Sequence, residues 1–160
     1  MALSLLSLIL MVSFDMGPTV GALVPVQDEG DPWRTSFVFG VKTRYGMSFA
    51  DVESELLFTE LGIDPDSSRG FDYSMVPLTL GLSRHIAGLR MGLGAAVYSI
   101  KAELKVDDGF SSVWEGTYPG MYISLGRGFP LLSGVADLSA KFNIVDFNAL
   151  WIGLTGSLLL

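Results

Sequence analysis

The chain has 160 residues, enough for one domain and too few for a two-domain enzyme. Charged residues make up only 17% and Gly reaches 19 residues, while 10 Lys and Arg against 17 Asp and Glu give a net charge of -7; with no basic cluster, a nucleic-acid partner is excluded. There is no Cys, so disulfides and thiolate metal sites are absent, and a single histidine, His85, rules out a multi-histidine metal site.

The chain opens with an apolar segment from Met1 to Phe14, broken by Asp15. A transmembrane helix needs about 20 apolar residues, which this segment does not supply. It fits the core of a secretion signal, with Val20-Gly21-Ala22 as a small-residue cleavage site, so residues 1–22 are expected to be a signal peptide. No Lys or Arg precedes the apolar core, and a buried terminal strand or helix is the other reading. Residues 23–34 combine acids, Gly and two prolines and read as a linker.

The first strand is expected at 35–46, where Phe37, Phe39, Val41, Thr43 and Tyr45 alternate with Val38, Gly40, Lys42 and Arg44. Residues 47–73 interrupt that pattern with Asp51, Glu53, Glu55, Asp64 and Asp66 and read as an external acidic loop, with a short helix possible after a capping box at Ser48 and Asp51. This acidic group lacks the Asp-x-Asp-Gly spacing of a calcium loop, so a solvated surface is expected and no metal or other cofactor.

The second strand, 74–84, has the clearest dyad: Val76, Leu78, Leu80 and Leu82 face one way, and Pro77, Thr79, Gly81 and Ser83 the other. A tight connection at 85–88 leads to the third strand, 89–104, which opposes Leu89, Met91, Leu93, Ala95 and Val97 to Arg90, Gly92, Gly94 and Ala96. The fourth, 116–127, points Met121, Ile123 and Leu125 away from Tyr122, Ser124 and Gly126. In the fifth, Ala136, Leu138, Ala140 and Phe142 oppose Asp137, Ser139, Lys141 and Asn143; in the sixth, 149–160, Leu150, Ile152 and Leu154 oppose Trp151, Gly153 and Thr155. A tilted transmembrane strand needs roughly 9 to 11 residues, close to the length of each.

One oily and one small or polar face, repeated without an intervening long helix, define an all-β fold: an antiparallel up-and-down transmembrane β-barrel over 35–160, with six clear strands and up to eight possible. Its small or polar face would turn inward, which puts Lys42, Arg44, Arg90, Asp137 and Lys141 in an interior ionic cluster. Buried charges must be paired, so Asp137 is expected to bond to Lys42, Arg44 or Lys141. The acids collect in the longer connections, and Arg34, Arg84, His85, Arg90 and Arg127 are expected at the opposite, periplasmic end. Trp33, Phe37, Tyr45, Tyr98, Tyr118, Phe129 and Trp151 lie near strand ends, as interfacial girdles would.

The run Val76-Pro77-Leu78-Thr79-Leu80-Gly81-Leu82, followed by Gly88-Leu89-Arg90-Met91-Gly92-Leu93-Gly94-Ala95-Ala96-Val97-Tyr98, resembles the strand-turn-strand of the small outer-membrane β-barrels, the opacity-protein, OmpX and OmpA-like group. The resemblance covers roughly residues 35–160 and is one of pattern; those families have eight strands and end in Phe or Trp, where this chain ends in Leu158-Leu159-Leu160. It implies an exported protein of the Gram-negative-type outer membrane. Such a protein contacts membrane lipid, is not an enzyme, and acts through envelope structure or through loop contacts with an extracellular ligand or envelope protein. Two alternatives carry different chemistry. A soluble β-barrel would reverse the faces and enclose an apolar ligand. A hydrolase similar to the barrel lipid-A deacylases would use Ser83 and His85, although their order and their place beside a short turn differ from that family's.

Overall fold

The alternation seen in single segments runs through nearly the whole molecule, because a period of two is what a sheet with two unlike environments demands. The computed structural model describes residues 13–26, 33–63, 71–106, 109–146 and 149–160. Its strands are β1 (Ser13–Pro25), β2 (Trp33–Arg34), β3 (Ser36–Gly46), β4 (Asp51–Glu60), β5 (Gly62–Ile63), β6 (Phe71–Ile86), β7 (Leu89–Val106), β8 (Gly109–Leu131), β9 (Gly134–Val145) and β10 (Ala149–Leu159). Eight of them form a closed antiparallel barrel in the order β1-β10-β9-β8-β7-β6-β4-β3, and β2 pairs with β5 as a separate two-stranded piece. Closure comes from β1 against β10, running from Thr19↔Ser157 to Pro25↔Trp151.

Short turns at 47–50, 87–88 and 132–133 gather at one end with Ser13 and Leu160; segments 26–35, 61–70, 107–108 and 146–148 join the strands at the other. The first is the turn end of the barrel and the second its loop end. In the turn after β6, Ala87 and Gly88 both have positive φ, 52° and 80°, the left-handed pair that a two-residue hairpin uses to match strand twist.

Two barrel strands lie beyond the six clear ones and bring the total to the eight held possible. β1 occupies Ser13–Pro25, so the barrel begins inside the segment read as a signal peptide and takes Leu23, Val24 and Pro25 from the segment read as a linker. An apolar run ending in a strand and the core of a signal peptide look alike; what separates them is that Phe14, Met16 and Val20 point outward while Thr19 and Leu23 are buried. β2 takes Trp33 and Arg34, which places Arg34 at the loop end and not at the periplasmic end expected for it. Residues 1–12 and 27–32 lie outside the described residues.

The second is β4. Asp51, Glu53 and Glu55, read as a solvated loop with a helical start, form a strand paired with both β3 and β6. Their spacing of two puts all three on the inward side, opposite Val52, Ser54 and Leu56, and Glu53 and Glu55 find cations there in place of water. Asp64 and Asp66 of the same expected loop lie outside the described residues.

The outer wall is apolar: Phe37 is 86% exposed and Phe39, Val20, Leu93 and Ile123 more than 60%. Patches of this extent on a soluble monomer are untenable, and with a polar inside they are the reverse of a soluble ligand-binding barrel. Glycines let the interior close. Gly81 and Gly94 face each other across β6 and β7, and a Cβ on Gly94 would lie 2.6 Å from the Tyr122 ring, which fills the space they leave.

Candidate functional site

The turn-end half of the interior is an ion-pair network. Asp137 on β9 accepts from Lys42 Nζ on β3 at 2.7 Å and from Arg90 Nη2 on β7 at 2.7 Å, and Arg90 Nη1 bonds its other oxygen. Arg90 Nε reaches Glu53 Oε1 at 2.7 Å, the same oxygen receives a bond from Ser83 Oγ at 2.8 Å, and Lys42 lies 3.5 Å from Glu53 Oε2. Nearer the turns, Arg44 donates to Asp15 at 2.9 Å. Toward the middle, Lys141 bonds Glu55, donates to Thr79 Oγ1 at 3.2 Å and sits 4.9 Å from the centre of the Tyr122 ring. Four cations (Lys42, Arg44, Arg90, Lys141) thus meet four carboxylates (Asp15, Glu53, Glu55, Asp137), and a fifth inward carboxylate, Asp51, lies at the rim 3.7 Å from His85. Glu55 Oε1 alone among the buried side-chain polar atoms has no hydrogen-bond partner among the described residues.

The loop-end half is different in kind. Leu23, Val38, Leu57, Met75, Tyr98 and Trp151 form a buried cluster against which Trp33 and Tyr73 pack. Trp33, carried on β2, meets Tyr73 edge-on at 5.6 Å and Trp151 at 6.1 Å, so the small β2–β5 sheet lays an aromatic lid over the cluster. Polar atoms within it are matched: Tyr98 donates to Asn143 Oδ1 at 3.0 Å, and Asn143 Nδ2 donates to the Lys141 and Trp151 carbonyls. A small barrel is expected to be filled with side chains, and here salt and then apolar packing occupy the axis in series.

The structure therefore brings together Lys42, Arg44, Arg90, Asp137 and Lys141 inside, with Lys42 as one of the partners foreseen for Asp137. Arg90 is the partner that was not foreseen, while Arg44 and Lys141 pair elsewhere. Asp15, Glu53 and Glu55 were missed as partners because their strands were missed. Period-two parity across 51–59 was the signal that could have found the last two. Of the aromatics expected as girdles, Phe37, Tyr45 and Phe129 are outside, whereas Trp151 and Tyr98 are buried in the interior cluster and Trp33 and Tyr118 pack against it. Ser83 is committed to Glu53, and His85, exposed at the rim, has Asp51 at 3.7 Å; the two residues of the hydrolase alternative do not form a nucleophile–base pair.

Above the apolar belt, β6, β7 and β8 continue as a three-stranded sheet. Phe71 still pairs with Leu104, and β7 and β8 remain paired to Val106↔Gly109, with a register shift at Ala102/Glu103. β9 stops pairing with β8 at Gly120↔Val145, so on that edge residues 109–118 have no neighbouring strand among the described residues. Lys101 pairs with Glu103 on this projection, and Trp114 stacks obliquely on Tyr118 at 5.9 Å.

A closed, filled, eight-stranded barrel with an apolar belt is the fold of the small outer-membrane β-barrel proteins. Solved structures make this specific. The chain is similar to Neisserial surface protein A (NspA), at 11% identity and a TM-score of 0.63, with 93% of this chain and 97% of that chain covered. It is also similar to Ail, the attachment invasion locus protein of Yersinia pestis, at 17% identity and a TM-score of 0.54, again over 93% of this chain and 97% of that one. A second Ail structure, in complex with the heparin analogue sucrose octasulfate, matches at 15% identity, a TM-score of 0.52 and the same coverage. At these identities the likeness is one of fold. No protein-family model matches the sequence, and no curated protein matches it at sequence level.

Proposed function

We propose that this protein is an exported barrel of a Gram-negative-type outer membrane that works without catalysis, by contact with an extracellular protein at its projecting sheet. The observation that carries the reading is the free edge of β8 at residues 109–118, held clear of the belt on a sheet whose root is the rigid barrel. An open edge offers unpaired N–H and C=O groups along its length, and an extended segment of a partner can add to it as another strand. Loops of outer-membrane barrels are longer outside than in the periplasm, which orients the loop end outward. One of the Ail structures is a complex with sucrose octasulfate, a sulfated polyanion. The loop end of this chain is acidic, with Glu60, Asp72, Glu103, Glu115 and Asp146 against Arg34, Lys101 and Lys105, and repels such a ligand; a protein strand is the better match.

The test is a variant in which residues 103–112 are replaced by a two-residue turn, expressed on cells beside the unmodified protein. Both are expected in the outer-membrane fraction with the same shift in gel mobility on boiling. Only the unmodified protein should confer adherence to cells or matrix protein. Equal adherence by the two would reject the projecting sheet as the contact surface.

A further inference from the structure

Below the loop end, the cations of this barrel divide into two populations. Each of the four inside has a carboxylate, whereas Arg84 on β6 and Arg127 on β8 point outward near the turn end and have no carboxylate partner among the described residues. The nearest company of Arg127 is the Phe129 ring, 5.4 Å from its guanidinium. The residues that share this outer face, such as Met16, Leu82, Met91, Leu138 and Leu158, are apolar, and the acids of the turn end, Asp15, Asp51, Glu53 and Asp137, are all turned inward. A guanidinium on a lipid-facing wall needs an anion, and the wall supplies none.

Each of these arginines stands at the turnward side of an apolar groove. One, of about 510 Å³, is bounded by Leu125, Leu138 and Leu154 and includes Arg127; its floor is opened by Ala140 and by Gly156, which has no side chain to fill it. The other, of about 540 Å³, is bounded by Leu82, Met91, Leu93 and Ile123 and includes Arg84. They share Leu125 as a common wall. Register places the two arginines on strands separated only by β7, since Arg84 pairs with Met91 and Arg127 lies opposite Leu89. With neighbouring strands about 4.8 Å apart and an offset of two residues along them, at about 3.4 Å each, their backbones are roughly 12 Å from each other, within reach of one headgroup for side chains of this length.

We propose that this face is a binding site for an anionic glycerophospholipid of the leaflet at the turn end, with acyl chains in the two grooves and its phosphate bridged by Arg84 and Arg127. Guanidinium and phosphate form paired, charge-assisted hydrogen bonds, and these strengthen where water is scarce. The site rests on the membrane reading proposed above, in which the turn end lies in the inner, phospholipid leaflet.

The experiment uses the full chain folded in a neutral detergent, with the mobility shift on boiling checked first; absence of a shifted form would count against the membrane reading itself. Dioleoyl-phosphatidylglycerol and dioleoyl-phosphatidylcholine are then titrated and bound lipid is counted by native mass spectrometry. The unmodified protein is expected to retain phosphatidylglycerol at least tenfold better, and Arg84→Gln with Arg127→Gln to lose that preference while keeping the shifted form. The single changes serve if the double variant does not fold. A Lys101→Gln variant, altered at the loop end, should behave as the unmodified protein. Equal retention of both lipids, or a preference that survives in the glutamine variants, would overturn the proposal. So would full displacement of the lipid by inorganic phosphate, which would identify a site for free phosphate.

Discussion

At the scale of single residues, the interior shows how a charge is tolerated where it would otherwise be prohibitive. Asp137 is 1% exposed and holds two cations at once, so its removal leaves buried Lys42 and Arg90 with Glu53 as the one carboxylate they share. Breaking a buried ion pair from one side costs about 3–5 kcal/mol. Asp137→Ala should therefore lower the unfolding free energy of the folded, mobility-shifted form in a urea titration by that order, and an unchanged midpoint would contradict the network. The pair of Glu55 and Lys141 gives a contrasting outcome. Lys141→Met strands a carboxylate that already has one unpartnered oxygen, whereas Glu55→Leu combined with Lys141→Met exchanges the pair for apolar volume. Such exchanges are often neutral. The double variant is expected to melt closer to the unmodified protein than either single one, in the same urea titration. Parity along recognised strands made the inward positions of Lys42, Arg90 and Asp137 legible in the sequence. Of the pairings only Lys42 with Asp137 was foreseen; Arg90 as a second partner of Asp137 was not, because pairing across a barrel depends on which strands face one another, and Asp15 and Glu53 sat in segments not recognised as strands.

At the scale of elements, the strands found from sequence are those with an unbroken oily face, such as Leu78, Leu80 and Leu82 of β6. β4 hid because its inward side carries Asp51, Glu53 and Glu55, and carboxylates usually mean water. β1 hid because its apolar residues continue from a longer apolar run. The extent of β8 was also invisible: residues 109–115 have no strong dyad and are held as strand by pairing with β7 past a register shift. Packing between elements turns on small residues as well. Gly94 on β7 lies under the Tyr122 ring of β8, and an added methyl there would approach the ring to 2.6 Å and the Leu80 carbonyl oxygen of β6 to 2.4 Å. Backbone cannot yield as a side chain can, and overpacking costs about 1–3 kcal/mol. Gly94→Ala is expected to lower the thermal midpoint in detergent accordingly, and a midpoint equal to that of the unmodified protein would show that the β6–β7 seam relaxes freely.

At the scale of the whole molecule, the protein is an inverted globule, with oil outside, ions at one end of the axis and aromatic packing at the other. Salt bridges fill the turn end and Trp33, Tyr73 and Trp151 close the loop end, so a planar bilayer containing the folded protein should show no stable unitary current; a steady conductance would mean that the axis is open. Everything in this arrangement depends on closure, because an open sheet edge in lipid leaves backbone groups with nothing to bond. The closing strand is β1, which pairs with β3 from Ser13↔Gly46 to Leu23↔Ser36 and with β10 from Thr19↔Ser157 to Pro25↔Trp151. A cut after Ala22 would remove Asp15, the partner of Arg44, and Thr19, whose hydroxyl bonds Ser157 at 2.6 Å, together with nearly the whole seam to β3. A chain of residues 13–160 refolded in detergent should thus give the mobility-shifted form, while residues 23–160 should stay unshifted and sensitive to protease. Folding of the shorter chain to a shifted, protected species would show that β1 is not needed to close the barrel. Failure of the shorter chain alone would mean that the strand beginning at Ser13 is required for closure.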